Sequence, residues 1–327
     1  MTPKALITGS TGFIGSHLLE TLLTLNWDVT CLIRPKSRTN ILSGLPIRYI
    51  KGDVDHMPSL EKSVQGQDYV FHVAARIRST HPDIYDRANH QFTKNLGLAT
   101  LNSNPNLKRF VYISSIAASG PSPPGSISNE TQLCTPTSRY GQSKLHGEEA
   151  LALIWDRLPV TIIRPPNVYG PRQLETELLI KLISKKIVPL LSAHAGSTSL
   201  IYIHDLIEGI LQASLSPHGI GQIYYLTDGV THSWRDIILS TKDQVLGTSL
   251  FLPLPEKVIY LSAWLIDILK STGFVSLHFG RRIWRTMIQT PWVFSSAKAQ
   301  KDFGFKAHHS LQAGLKETVR DSKHSLS

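Results

Sequence analysis

The chain has 327 residues, 41% of them apolar and 18% charged, a composition that excludes disorder and leaves room for one large domain or two modest ones. Two cysteines, Cys31 and Cys134, are too few for a disulfide framework, and no run reaches the roughly 20 apolar residues of a membrane span. The net charge of +10 gathers near the end, where residues 270–327 hold ten Lys/Arg against three Asp/Glu.

From the start, Lys4–Thr8 reads as a buried strand and Ile14–Leu25 as an amphipathic helix, so the opening residues are expected to be folded protein and not a cleavable leader. Further strands are predicted at Asp28–Ile33, Ile47–Lys51, Tyr69–Ala74, Phe110–Ser114 and Val160–Arg164. Helices fall between them, the clearest at Asp86–Asn102 and Ser138–Arg157. Alternation of helices with continuously apolar strands predicts an α/β fold, a doubly wound parallel sheet covered on both faces. After Pro165 the pattern loosens. Helices are expected at Leu174–Lys186 and Leu206–Ser214, Pro189–Ser199 and Ser249–Pro255 read as loops, and Lys257–Lys270, Gly280–Gln289 and Ser296–Asp302 complete this half. The expected division is an α/β domain over 1–165 and a smaller lobe over 166–327, with 198–226 returning in part to the sheet.

The turn Thr8-Gly9-Ser10-Thr11-Gly12-Phe13-Ile14-Gly15 directly follows the first strand and opens the first helix. Gly9 permits the tight turn, Gly12 admits a pyrophosphate to the backbone, and Gly15 lets helix and strand pack closely. Thr11, Phe13 and Ile14 complete the expected cofactor loop. After the second strand, where an NAD enzyme would place an acid on the ribose, the chain has Arg34, Lys36 and Arg38 and no carboxylate. That favours NADP over NAD. Asp53 and Val54 would sit by the adenine, although Asp53 taken alone is as well explained by turn capping.

Tyr140 and Lys144 stand four residues apart and share a helix face. A nearby ammonium would favour the phenolate, so Lys144 is expected to lower the Tyr140 pKa and to hold the nicotinamide ribose. The predicted strand Phe110–Ser114 ends in two hydroxyls, Ser114 and Ser115, at the carboxyl end of the sheet. Ser115 is expected to hydrogen-bond the reacting oxygen.

The glycine turn, Asp53-Val54, Val73-Ala74-Ala75, Asn89-x-x-x-Thr93-x-Asn95, Ser114-Ser115, Tyr140-x-x-x-Lys144 and Arg164-Pro165-Pro166-Asn167-Val168-Tyr169-Gly170-Pro171 follow one another along the chain. In this order they resemble the extended short-chain dehydrogenase/reductase family of epimerases, dehydratases and 3β-hydroxysteroid-dehydrogenase-like enzymes. Tyr202-Ile203-His204-Asp205 and the segment Trp292–Lys298 extend the resemblance to nearly the whole chain. It implies hydride chemistry at Ser115, Tyr140 and Lys144, with Asn89 marking a helix beside the site. It also adds Ala74, Ala75 and Pro166 to the cofactor contacts, and it implies a homodimer through the helices at Asp86–Asn102 and Ser138–Arg157.

Departures from the family pattern narrow the branch. Dehydratases resemble one another in an Asp-Glu pair just after the strand hydroxyl, where this chain has Ile116-Ala117-Ala118. Sugar-nucleotide enzymes carry a diphosphate-binding arginine seven residues before the aspartate matching Asp205, where this chain has Thr198. Arg172 or the cluster Arg281, Arg282 and Arg285 could replace it. His204-Asp205 themselves read as a helix cap.

The apolar segment Val258–Leu269 reads as buried core, as a lid over a lipophilic substrate or as a membrane-surface helix, and the basic end fits an anionic substrate or a lipid surface. Nucleic acid is excluded as a partner, since no recognition motif accompanies the charge. No metal is expected, because the 14 histidines show no ligand spacing. The leading expectation is a cytoplasmic NAD(P)-dependent oxidoreductase interconverting a secondary alcohol and a ketone on a hydrophobic or ring-bearing small molecule. Its rivals are a nucleotide-sugar 4-epimerase retaining NAD and a non-catalytic dinucleotide-sensing regulator.

Overall fold

The structure, a computed structural model, describes residues 2–35, 37, 39, 42–79, 81–184, 187–190, 196–245, 250–253, 258, 261, 264 and 290–324. In chain order the strands are β1 (Lys4–Thr8), β2 (Asp28–Ile33), β3 (Arg48–Lys51), β4 (Tyr69–His72), β5 (Arg109–Ile113) and β6 (Val160–Arg164). They continue with β7 (Asn167–Tyr169), β8 (Ile187–Leu190), β9 (Ser197–Tyr202), β10 (Gln222–Tyr225), β11 (Thr231–Ser233) and β12 (Leu250–Pro253). The helices of the first half are α1 (Phe13–Thr24), α2 (Met57–Val64), α3 (Pro82–Tyr85), a π-helical turn at Asp86–Gln91, α4 (Phe92–Ser103), α5 (Ile116–Ser119) and α6 (Arg139–Ala152). Later come α7 (Leu174–Ile183), α8 (Ile203–Leu215), α9 (Trp234–Gln244), α10 (Ala297–Phe303) and α11 (Leu311–His324).

Seven parallel strands form the main sheet in the order β10-β6-β5-β4-β1-β2-β3. Alternation along each strand divides its side chains between two cores. Ala5 and Ile7 of β1 join Leu18 and Leu22 of α1 and Leu206 and Ile210 of α8 on one face. Leu6 points the other way, with Val70, Phe110 and Tyr112, onto Leu96 of α4 and Leu151 of α6. Each such aliphatic side chain contributes about 1.5–3 kcal/mol when fully buried, and covering both faces is what makes these strands continuously apolar.

The connection reverses direction between β1 and β4, and a crevice opens there at the carboxyl ends of the strands. Beside the main sheet the chain forms a second sheet, β11-β9-β7, and a parallel pair of β8 with β12. The loops expected at Pro189–Ser199 and Ser249–Pro255 therefore contain strands. β9 escaped notice because it opens on Ser197-Thr198-Ser199, whose hydroxyl-bearing side chains look loop-like until tertiary partners satisfy them. Ser199 Oγ accepts from the Phe294 amide at 3.0 Å, for example. The segments Lys257–Lys270 and Gly280–Gln289, expected to complete the second half, fall outside the described residues apart from Val258, Leu261 and Trp264. No helix among the described residues is long and apolar enough to cross a membrane.

Candidate active site

At the end of β1, Gly9 takes φ +76°, a left-handed conformation, and its carbonyl accepts from the Gly12 amide at 2.9 Å. A Cβ on Gly9 would lie 2.7 Å from the Ala74 nitrogen, and one on Gly15 would lie 2.1 Å from the Gly9 oxygen. Both glycines are therefore required for β1, β4 and α1 to meet. Gly12 differs: it is exposed, and an added Cβ would touch nothing nearer than the Gly9 oxygen at 3.3 Å. It caps α1 with no side-chain hydrogen bond and no acid in the first turn, which leaves the helix N-terminus to an anion. Thr11, Phe13 and Ile14 are half-buried around this turn, with half-buried Ala74 and exposed Ala75 across the crevice. The open face at Gly12 and the uncapped helix end fit a dinucleotide pyrophosphate.

Toward the expected adenosine end, Arg34 is exposed directly after β2, with no acid at the described positions beside it. Lys36 lies outside the described residues. Asp53 caps its own turn, Oδ1 accepting from the Val54 amide at 2.7 Å, and lies 3.5 Å from the Arg87 guanidinium. Val54 is buried, and its carbonyl accepts from Asn95 Nδ2 at 2.8 Å.

Ser138 starts α6 by accepting from the Gly141 amide at 3.0 Å. A Cβ on Gly141 would lie 2.1 Å from the Ala117 oxygen, so glycine lets α6 abut α5 and brings Tyr140 to Ser115. Ser115 caps α5 through the Ala117 amide at 3.1 Å, and its hydroxyl lies near enough to the Tyr140 phenol to favour the phenolate. Burial pushes the phenol up to about 12, against the opposing pull of the Ser115 hydroxyl. Lys144, wholly buried one turn further on, donates to the Ile113 carbonyl at 2.7 Å and lies 4.1 Å from the Tyr112 ring centroid. Burial lowers its pKa to about 7, and the Glu148 charge opposes this. The expected lowering of Tyr140 by Lys144 is corrected here: desolvation governs both groups, and the amine is held at Ile113.

A buried polar shell that the sequence did not reveal supports this helix. Glu148, one turn beyond Lys144, pairs with Arg164 at 2.5 Å and accepts from Ser114, while Arg164 also donates to Ser119 Oγ at 3.1 Å and the Tyr225 hydroxyl at 3.0 Å. The spacing of 140, 144 and 148 along one helix face was a legible signal for Glu148; its partner was not. Asn89, buried on the π turn, donates to Ser143 Oγ at 2.9 Å and accepts from the Arg76 amide at 2.7 Å. A second chain runs from the cofactor turn: Thr8 Oγ1 to His72 Nδ1 at 2.7 Å, His72 Nε2 to Thr93 Oγ1 at 2.9 Å, and Thr93 Oγ1 to the Asn89 carbonyl at 2.6 Å.

Other singled-out residues lie apart from this centre or serve differently. Pro166 is buried, next to Pro165, whose carbonyl accepts from the Ile116 amide at 3.1 Å. Thr198 is buried in β9, where its Oγ1 accepts from Asn167 Nδ2 at 2.9 Å. Arg172, one candidate replacement arginine, pairs with both oxygens of Glu20, at 2.6 and 2.8 Å. Arg281, Arg282 and Arg285 fall outside the described residues. The cap reading of His204-Asp205 is corrected: Tyr202 occupies the cap of α8, and the Asp205 carboxylate accepts from the His308 and His309 amides at 3.0 and 3.1 Å. Asp205 thus ties the C-terminal segment to α8.

The model of the NAD dependent epimerase/dehydratase family matches residues 5–226. A ceramide reductase of Caulobacter vibrioides is 26% identical over 316 residues, 96% of this chain and 92% of that protein. A UDP-glucose 4-epimerase of Vibrio cholerae is 28% identical over 331 residues, 98% of this chain and 95% of that one. The solved UDP-glucose 4-epimerase of Thermus thermophilus, in complex with NAD, shares the fold with a TM-score of 0.78 at 21% identity, covering 98% of this chain and 99% of that one. With a seven-stranded Rossmann sheet, a glycine turn open to a dinucleotide and full-length relatives of this kind, the chain is an enzyme of the NAD dependent epimerase/dehydratase family.

Proposed function

We propose that this enzyme interconverts a secondary alcohol and a ketone on a lipophilic or ring-bearing small molecule, with NADP preferred over NAD. Thr198 carries the reading. A neutral, buried and hydrogen-bonded side chain fills the position expected of a diphosphate-binding arginine. The absence of an acid in α5 after Ser115 argues against dehydration. Val258, Leu261 and Trp264, spaced three apart on helical backbone, leave large apolar side chains 46%, 60% and 40% exposed. That supports contact with a lipid-like substrate or a membrane surface. The full-length similarity to a ceramide reductase agrees.

The bound dinucleotide supplies or accepts the hydride. Tyr140 holds its proton at neutral pH and donates it to the developing alkoxide during ketone reduction, and Ser115 hydrogen-bonds the same oxygen. Lys144 anchors the ribose, and its charge returns when that polar partner replaces part of the hydration it lacks. Arg34 meets the 2′-phosphate, with Gly9, Gly12 and Gly15 around the pyrophosphate and Asp53 and Val54 near the adenine. We assign 1–165 to cofactor binding and 166–327 to the substrate, with 198–226 shared between the two. The proposal also includes a cytoplasmic homodimer, paired through α4 and α6.

A second reading, a nucleotide-sugar 4-epimerase that retains NAD, is favoured by the equally complete match to a UDP-glucose 4-epimerase. Calorimetry separates them. Lipophilic ketones such as steroid, quinone and acyl-CoA ketones should bind the NADPH complex at micromolar concentration, and UDP-, GDP- and dTDP-sugars should not. Micromolar binding of any nucleotide sugar overturns the first reading in favour of the second.

A further inference from the structure

Asp86 and His90 sit one turn apart on the π-helical segment, and His146 approaches them from α6. One ligand atom from each residue lies within 4.8 Å of the other two. His90 Nδ1 and Asp86 Oδ1 are 2.8 Å apart, and the His90 and His146 rings meet edge-on with centroids 5.6 Å apart. We propose that Asp86, His90 and His146 form a binding site for a divalent zinc ion, separate from the dinucleotide crevice.

Two imidazoles and a carboxylate make a donor set that zinc takes readily, with water completing a tetrahedron. Bonds of about 2.0–2.1 Å place tetrahedral ligand atoms about 3.3 Å apart. Asp86 and His90 already stand closer than that, so the ion needs a small opening of this pair. His146 is exposed, and a rotation of its side chain closes the remaining gap.

The carboxylate is also oriented from behind, because Gln91 Nε2 donates to its second oxygen, Oδ2, at 3.3 Å. Such outer-shell bonds hold metal-binding carboxylates in register. An ordinary surface pair at i, i+4 accounts for Asp86 with His90, at a few tenths of a kcal/mol. It does not account for a third ligand converging from another helix. Zinc binds the neutral imidazole of His90 at Nδ1, with the ring's one N–H at Nε2, and it ties the π turn to α6. Those are the segments that carry Asn89 and Ser143, already joined at 2.9 Å.

The test uses the full-length chain without a histidine tag, titrated with zinc chloride alone. One ion per chain is expected at micromolar affinity or better, and cobalt(II) should give the intense visible absorption of a tetrahedral site. His90→Ala and His146→Gln should each weaken binding about a hundredfold, with a native circular dichroism spectrum. Zinc at a hundredfold excess over its Kd should raise the wild-type melting temperature by about 5 °C and leave that of His146→Gln unmoved. The same zinc affinity in wild type and in folded His146→Gln and His90→Ala overturns the proposal, as does wild-type binding no tighter than millimolar.

Discussion

Replacing Lys144 by methionine should flatten one component of the pH dependence of stability. The amine is wholly buried and titrates near 7 in the folded chain, against 10.5 for the ordinary lysine value. Below pH 7 both folded and unfolded forms carry the charge, and folding bears the full cost of removing an ammonium from water. Between 7 and 10.5 the folded chain is neutral there while the unfolded chain still binds a proton. Each pH unit in that window then removes about 1.4 kcal/mol of the cost.

From pH 7 to pH 9 the wild type should therefore gain about 2 kcal/mol from this one group, after allowing for half-protonation at the start. Methionine has similar length and nothing to protonate. It also loses the hydrogen bond to the Ile113 carbonyl, about 1 kcal/mol, but that loss is the same at every pH and cancels from the slope. Urea unfolding of both proteins without cofactor at pH 7, 8 and 9 gives the comparison. A stability difference that stays constant across the three would refute the reasoning, since it would mean that Lys144 keeps an ordinary pKa.

Tyr140→Phe should lower kcat by ~10²–10⁴-fold with NADPH affinity unchanged, because only the proton donor is removed; turnover within threefold would assign the proton to another group. Gly12→Val should abolish NADPH binding in a fluorescence titration and cost less stability than a change at Gly15, its Cβ falling 3.3 Å from the Gly9 oxygen. Gly15→Ala should instead destabilise the fold, its Cβ falling 2.1 Å from the Gly9 oxygen. Arg34→Asp should weaken NADPH about tenfold or more and NADH far less, and equal losses would place Arg34 in solvent.

Much of the sheet was legible because its strands are buried on both faces. Lys4–Thr8, Asp28–Ile33 and Val160–Arg164 were bounded to the residue, each closed by a glycine, arginine or proline turn signal. Residues that depend on partners far along the chain were not legible. Asp205 resembled a helix cap until its carboxylate was seen to hold amides more than a hundred residues away. The predicted helix Asp86–Asn102 exists, but its first turn is a π turn. That distortion places Asn89 against both Arg76 and Ser143, and nothing in a 3.6-residue periodicity announces it. The Tyr140 and Lys144 spacing placed both on one helix face. The electrostatics there were misjudged because burial, which a sequence does not display, outweighs the attraction of phenolate for ammonium.

The same burial fixes the state of His72, and with it the relation between the cofactor turn and the catalytic helix. Thr93 donates its hydroxyl proton to the Asn89 carbonyl, so it must accept from His72 Nε2–H. That leaves His72 Nδ1 bare to accept from the Thr8 hydroxyl, whose own oxygen accepts from the Ala74 amide at 3.2 Å. One neutral tautomer satisfies every donor and acceptor in the chain. A second proton on His72 would turn Nδ1 into a donor and leave the Thr8 hydroxyl proton without its acceptor. Burial and the nearby Lys144 charge both hold the His72 pKa well below its usual value, so that misfit is not populated near neutrality. A ring of pure hydrocarbon could fill the same space but would let β4 and the π turn slide. The hydrogen-bonded chain admits one register. Through Asn89, Ser143 and the Tyr140 carbonyl, it ties the catalytic-site helix to the glycine turn of the proposed dinucleotide site.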